Sequence, residues 1–228
     1  MLKAQPAKRF VTGLLGLLFV VVIADRVFAQ TNRDVSKWEA EISAFEASDR
    51  TNPPPKGAIL FVGSSSFRKW TTMAQDFPRR QVINRGFGGS EIADSTALAE
   101  RIVFPYEPRL IVFYAGDNDL ALGRSPEQVV ADYQAFVEKI HARLPKTRIA
   151  YLAIKPSPAR WKLNEKMIAA NEKIKALKDD RTEFIDIYPL MLGADGKPKP
   201  ELFIADGLHP SAECYRMWAG VIKPYLDF

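Results

Sequence analysis

Leu110-Ile111-Val112-Phe113-Tyr114 is an unbroken apolar run near the middle of this 228-residue chain. A short run without polar alternation is typical of a strand that is buried on both faces, as in a parallel sheet. Four further apolar runs cover residues 58–62, 82–84, 149–154 and 184–188. The run at 82–84 is the weakest of them. We therefore predict about five parallel strands.

Amphipathic helical patterns lie between these runs. Ser125 and Pro126 open one of them as a cap and a first-turn proline, and apolar residues then recur on one face up to Leu144. Further helices are predicted over residues 34–48, 161–177 and 211–226. Strands that alternate with helices predict an α/β fold, here a three-layer α/β/α sandwich. Because ligands of such sheets bind beyond the carboxyl ends of the strands, the residues that follow each strand are candidates for a site.

The first 29 residues are predicted to lie outside the fold. Lys3, Lys8 and Arg9 precede a run of low polarity at 10–24, and this pattern is typical of a signal peptide cleaved before Gln30. The alternative is an uncleaved membrane anchor through residues 10–24, the only case in which membrane attachment is expected. We expect an exported protein, periplasmic or secreted. Its predicted parts are an N-terminal helix with a Pro-rich spacer (30–56) and a main domain (57–228).

The net charge of +5 comes largely from this leader. The leader holds four basic residues and one acidic residue, so the chain from Gln30 onward carries about +2. The sequence has no basic stripe with interleaved aromatic residues, which argues against nucleic acid as a partner. Since Cys214 is the only cysteine, no intramolecular disulfide can form and the core alone must hold the fold.

Small polar residues follow the first predicted strand. Gly63 precedes Ser64, Ser65 and Ser66, and a glycine at this place permits a sharp turn that exposes a hydroxyl group. Three serines at a turn are also ordinary loop composition. The stretch is not a G-x-S-x-G nucleophile elbow, because Phe67 occupies the position of the last glycine.

The second predicted strand is followed by glycines. Gly86, Gly88 and Gly89 let the backbone approach a ligand closely, and Ser90 is predicted to cap the next helix. A phosphate-binding loop is the rival interpretation. The stretch lacks both the spacing of a dinucleotide fingerprint and the lysine of a P-loop.

Turn-forming residues follow the third strand. The side-chain amide of Asn118 is suited to donate a hydrogen bond to an oxyanion. Asp117 and Asp119, together with Asp206 and His209, are alternatively suited to hold a hard cation for phosphoester chemistry. Their spacing does not define a metal site, so a metallophosphoesterase is the remoter alternative and we expect neither a metal nor a cofactor.

Asp206-Gly207-Leu208-His209 lies near the C-terminus of a chain with only two histidines. A carboxylate held against one imidazole nitrogen fixes the tautomer and leaves the other nitrogen free to take a proton. His209 is therefore the candidate general base. The alternative is that Asp206 is a turn residue and His209 a surface cap. His141 is expected to be a partly exposed residue near the end of its helix.

Taken in order, these segments resemble the SGNH hydrolases, also called the GDSL esterase/lipase family. The resemblance covers residues 57–228, and the family's motifs each fall at a predicted strand end or in the C-terminal loop. The matching stretches are Gly63-Ser64-Ser65, Asn84 with Gly89, Gly116-Asp117-Asn118-Asp119 and Asp206-Gly207-Leu208-His209.

The resemblance implies a flavodoxin-like architecture and a role for each matching residue. Ser65 would be the nucleophile, His209 the base and Asp206 its orienting partner. The backbone N–H groups of Ser65 and Gly89 and the amide of Asn118 would form the oxyanion hole. The usual aspartate of the first motif is replaced by a serine, Ser64, which is the weaker candidate for the nucleophile.

The activity that the resemblance implies is that of a serine esterase working through an acyl-enzyme. Its substrates would be small-molecule, lipid or carbohydrate esters, such as short acyl esters, acetylated carbohydrate or lysophospholipid. An O-acyltransferase on the same machinery and a catalytically silent binding module with this fold are the alternatives. Phe67, Trp70, Phe87 and Trp161 are candidates for lining an acyl or sugar pocket, or for the core.

Overall fold

The computed structural model describes residues 33–226. The predicted leader, and with it the choice between a cleaved signal peptide and a membrane anchor, lies outside the described residues. Within residues 33–226, no helix is both long and apolar enough to cross a membrane.

Five parallel strands form one sheet in the order β2-β1-β3-β4-β5. The strands are β1 (Ile59–Gly63), β2 (Val82–Gly86), β3 (Leu110–Tyr114), β4 (Arg148–Leu152) and β5 (Thr182–Ile185). Every residue of β1 and β3 is buried, as their unbroken apolar runs predict. The predicted parallel five-stranded sheet is confirmed.

Nine α-helices lie in the described part of the chain, accompanied by short 3₁₀ turns. They are α1 (Glu39–Thr51), α2 (Ser65–Arg68), α3 (Met73–Asp76), α4 (Ile92–Ala97), α5 (Ala99–Ile102), α6 (Asp117–Ala121), α7 (Pro126–Arg143), α8 (Asn164–Lys175) and α9 (Ala212–Ile222).

Aromatic side chains fill the core on both faces of the sheet. On one face, the ring of Tyr114 in β3 lies 5.5 Å from that of Trp218 in α9. On the opposite face, the ring of Phe113 stacks on Phe136 in α7 with 4.1 Å between the centroids. Because consecutive residues of a strand point to opposite faces, helices must cover both sides. The predicted α/β/α sandwich is confirmed.

The fourth apolar run (149–154) is longer than the strand it predicts, since β4 ends at Leu152. Ile154 is completely buried, yet both of its backbone groups bond to the side-chain amide of Asn171 in α8, at 2.8 and 2.9 Å. The apolar run thus reflects burial beyond the strand as well as within it. Strand β5 likewise ends before its predicted end.

Some helices begin where the sequence predicts and others do not. The hydroxyl of Ser125 accepts from the N–H of Gln128 at the start of α7, as predicted. The prediction that Ser90 caps α4 is wrong. Glu91 is the cap, because its side chain and that of Asp94 form a reciprocal capping box. The predicted helix at 161–177 starts later, as α8, after a 3₁₀ turn.

The strand order places the carboxyl ends of β1, β2 and β3 side by side at the point where the chain reverses its direction across the sheet. Close packing at this edge requires a glycine. A Cβ at Gly63 would lie 1.8 Å from the carbonyl oxygen of Tyr114, and Gly63 has φ +147°. The turn after β1 can therefore approach β3 directly, which brings its serines to the centre of the edge.

Candidate active site

Ser65 is the first residue of α2 and follows directly on the turn after β1. Its Oγ lies 2.9 Å from Nε2 of His209. As the first residue of a helix, it carries an N–H group that has no acceptor within the helix. Ser65 therefore presents both a hydroxyl and a backbone donor at the same edge of the sheet.

The two neighbouring serines have a different environment. Ser64 and Ser66 are each only 1% exposed, whereas Ser65 is partly exposed. The hydroxyl of Ser64 has no hydrogen-bond partner within residues 33–226. Of the three serines, Ser65 is thus the one that the structure joins to a histidine.

The C-terminal loop brings His209 and Asp206 together. Nδ1 of His209 lies 2.6 Å from Oδ2 of Asp206, while Oδ1 accepts from the backbone N–H groups of Leu208 and His209. Burial alone would raise the pKa of Asp206, but these backbone bonds and the imidazole bond hold it well below its usual value. The ionised carboxylate selects the tautomer with the proton on Nδ1, so Nε2 is free to accept from Ser65.

Gly89 follows β2 in the loop that also contains Gly88. It has φ +71°, a conformation in which glycine is favoured, and a Cβ there would meet no atom within 4 Å. The N–H group of Gly89 donates to no other group in the part of the chain that the structure describes. It is therefore available to an external acceptor.

Asn118 lies in α6, just after β3, and is 8% exposed. Its Nδ2 donates to the carbonyl oxygen of Ser90 at 2.9 Å, and its Oδ1 accepts from Nη2 of Arg160 at 2.9 Å. These partners fix the orientation of the amide. The second N–H of Nδ2 remains for another acceptor.

A buried charged cluster lies beneath this amide. Asp117 is 2.8 Å from Nζ of Lys155 and 3.2 Å from Nη1 of Arg160, and Lys155 also donates to the hydroxyl of Tyr114. Burial alone would raise the pKa of Asp117, but the two cations lower it. Lys155 and Arg160 were not predicted as site residues, although Lys155 lies just past the end of β4, where the residues that follow a strand are candidates for a site.

The carboxylate of Asp119 is engaged by the segment that follows the glycine loop. Its Oδ1 accepts from the N–H of Ile92 at 3.0 Å, and burial raises its pKa to about 7. The structure thus does not bring Asp117 and Asp119 together with Asp206 and His209 as the alternative cation site requires. Within residues 33–226, no three or more acidic, histidine or cysteine side chains are arranged to hold a metal ion.

The remaining candidates lie apart from Ser65 or within the core. Phe67, Trp70 and Phe87 are at most 1% exposed, which favours the core interpretation, while Trp161 is partly exposed. Asn84 lies in β2, where its Nδ2 donates to the carbonyl oxygen of Phe67 in α2 and its Oδ1 accepts from the N–H of Gly86. His141, the second histidine, contacts the carbonyl oxygen of Thr147.

Residues 55–217 match the model of the GDSL-like Lipase/Acylhydrolase family, so the chain belongs to this family of hydrolases that act on esters. The family resemblance predicted from the sequence is confirmed. No curated protein matches the chain.

Solved structures share the fold at low sequence identity. A Streptococcus pneumonia protein named for platelet activating factor is 19% identical, with 92% of this chain and 99% of that chain covered and a TM-score of 0.73. A GDSL-like lipase from Bacteroides thetaiotaomicron is 21% identical, with 82% and 98% covered and a TM-score of 0.70. An acetyl esterase solved with an acetate ion is 17% identical, with 74% and 95% covered and a TM-score of 0.56.

Proposed function

We propose that this protein is a serine esterase that hydrolyses carboxylic esters through a triad of Ser65, His209 and Asp206. The observation that carries the proposal is the continuous chain of hydrogen bonds from the Ser65 hydroxyl through the imidazole to the Asp206 carboxylate, at 2.9 and 2.6 Å. A serine hydroxyl is a poor nucleophile until a neighbouring base takes its proton, and His209 is such a base.

The reaction proceeds by double displacement. Nε2 of His209 takes the proton of Ser65 as Oγ attacks the ester carbonyl, and Asp206 stabilises the imidazolium that forms. The imidazolium returns the proton to the leaving alcohol, which leaves an acyl group on Ser65. Water then attacks this acyl-enzyme, with His209 again acting as the base.

The negative charge on the carbonyl oxygen requires donors that are already in place. We assign this role to the N–H groups of Ser65 and Gly89 and to the free N–H of the Asn118 amide. The support is that each lies after one of three adjacent strands and that the Gly89 donor has no other partner in the described residues. Removing one such donor typically lowers kcat by about 10² to 10³-fold.

The test is covalent labelling with a fluorophosphonate, read by peptide mass mapping, beside hydrolysis of p-nitrophenyl acetate. We expect one adduct, on Ser65, that is lost together with hydrolysis in Ser65→Ala and His209→Ala. Ser64→Ala is the matched control and should keep both. Labelling at another residue, or hydrolysis by Ser65→Ala near the wild-type rate, would contradict the assignment of Ser65 as the nucleophile.

We propose small-molecule, lipid or carbohydrate esters as the substrates, with short acyl esters, acetylated carbohydrate and lysophospholipid as the candidates. A panel of p-nitrophenyl esters of increasing chain length, an acetylated xylo-oligosaccharide and a lysophosphatidylcholine separates them by kcat/KM. Adding a free sugar acceptor to the same assays measures any acyl transfer. Product that shifts from free acid to acylated sugar would identify an acyltransferase instead.

We also propose that the protein is exported, on the basis of the basic and apolar pattern in residues 1–29. Intact mass measurement after expression in a bacterial host tests this. A periplasmic product that begins at Gln30 supports a cleaved leader, and a full-length product in the membrane fraction supports the anchor.

A further inference from the structure

Residues 36–51 lie outside the part of the chain that the family model matches, yet they contact the glycine loop of the site. The 3₁₀ turn Ser36–Trp38 leads into α1. Trp38 is 3% exposed and packs edge-on against Phe87, with 5.4 Å between the ring centroids. Its indole Nε1 donates to the carbonyl oxygen of Gly88 at 2.6 Å.

This carbonyl belongs to the same peptide unit as the N–H group of Gly89. A trans peptide is planar, and its C=O and N–H groups point in opposite directions. Holding the oxygen of Gly88 against the indole of Trp38 therefore aims the N–H of Gly89 away from Trp38. The bond also polarises the peptide, which strengthens the N–H as a donor.

The orientation of a peptide between two glycines must be restrained by other groups. Neither Gly88 nor Gly89 has a side chain to restrict rotation, and Gly89 has φ +71°, where an added Cβ would meet no atom within 4 Å. The preceding peptide is held by the same N-terminal segment, because the N–H of Gly88 donates to Oε2 of Glu41 in α1 at 3.3 Å. Glu41 in turn pairs with Arg68 of α2 at 3.0 Å.

We propose that Trp38 is a positioning residue that sets the orientation of the Gly88–Gly89 peptide and so completes the oxyanion hole. The proposal rests on the esterase function proposed above. On this proposal the N-terminal helical segment contributes to the active site through a single group, the indole N–H of Trp38.

The test is Trp38→Phe, which keeps an aromatic ring against Phe87 and removes the indole donor. We expect kcat to fall about tenfold, a fraction of the loss seen when a donor is deleted, because the peptide still samples the correct orientation. KM should stay within about twofold, since the lost interaction is made with the oxyanion of the transition state.

Arg101→Gln is the matched control for a loosened helix. Arg101 joins α5 to α1 through four hydrogen bonds to Glu39 and Glu46, and none of these groups contacts the Gly88–Gly89 peptide. This variant should lower the melting temperature and keep kcat. A comparable fall of kcat in both variants would show that Trp38 acts only by holding the helix, and would overturn the proposal.

A second readout does not depend on hydrolysis. In Trp38→Phe, the backbone amide signal of Gly89 should shift and broaden through exchange between peptide orientations. The signal of Gly196, also at positive φ (+73°) with open space around it, should not change. An unchanged Gly89 signal in Trp38→Phe overturns the positioning role. If the signal changes in this variant but the wild type hydrolyses no ester, only the proposed function is contradicted.

Discussion

At the scale of residues, single polar contacts fix the orientation of Asn118, a proposed donor of the oxyanion hole. The Asn118 amide is held at both ends, by a carbonyl oxygen at its nitrogen and by the Arg160 guanidinium at its oxygen. A flipped amide would place its oxygen against the Ser90 carbonyl and its NH₂ group against a cation. The two partners thus favour the same orientation.

Arg160→Met removes one of these partners. We expect kcat to fall about tenfold with KM little changed, because the amide then loses part of its fixed orientation. The measurement is a double-mutant cycle with Asn118→Ala. If Arg160 acts through Asn118, its substitution has little further effect in that background, and equal effects in both backgrounds contradict the interpretation.

Ser64→Ala tests the buried hydroxyl next to Ser65, the proposed nucleophile. Ser64 precedes α2 but makes no capping bond, and its hydroxyl lacks a partner among the described residues. Removing an unsatisfied buried polar group should leave the free energy of unfolding unchanged or raise it by up to about 1 kcal/mol. Urea denaturation measures this, and a clear loss of stability would show that the hydroxyl is hydrogen-bonded.

At the scale of elements, α6 organises the neighbouring glycine loop. Two adjacent side chains of this short helix bond to the segment after that loop, Asn118 to the carbonyl of Ser90 and Asp119 to the N–H of Ile92. The helix therefore links the ends of β2 and β3. In its sequence, Asn118, the proposed oxyanion donor, stands directly beside Asp119, which bonds to the backbone.

Asp119 should make stability depend on pH. Its pKa is raised to about 7 by burial, against about 3.9 in an unfolded chain. The contribution to stability is complete below pH ~4 and is lost as pH rises through ~7. Compared with Asp119→Asn, the wild type should lose about 2–3 kcal/mol between pH 5 and pH 8. Urea denaturation across this range measures it, and parallel curves for the two proteins would contradict it.

At the scale of the whole molecule, one hydrophobic core holds residues 35–226 together without a disulfide. Cys214 is the only cysteine of the chain and is fully buried in α9, where burial raises the pKa of its thiol to about 12. A protonated thiol without solvent access does not react with alkylating reagents.

Cys214 should therefore report unfolding of the domain. We expect no modification by iodoacetamide in the native protein at pH 8, and complete modification in denaturant. The labelled fraction should rise with urea in parallel with the loss of circular dichroism. Rapid labelling without urea would instead reveal local opening of α9.

The sheet was predictable because its signal is local. Strands covered on both faces need apolar side chains at every position, so β1 and β3 can be read directly from composition. The boundaries of β4 and β5 were less accurate, since residues such as Ile154 are buried without pairing in the sheet. The family motifs are also local, because each is a short stretch after a strand. Their positions in the sequence correctly predicted that Ser65, Gly89 and Asn118 follow β1, β2 and β3 at one edge of the sheet.

The sequence by itself determined the α/β fold, the family and the short list of candidate site residues, since apolar runs and turn residues act over a few neighbouring positions. Only the tertiary structure decided which serine meets His209, 144 positions away, and which cations surround Asp117. It also placed Trp38 against a peptide 50 positions further along. Contacts between such distant residues depend on how helices and strands pack, and packing leaves no periodic pattern in the chain.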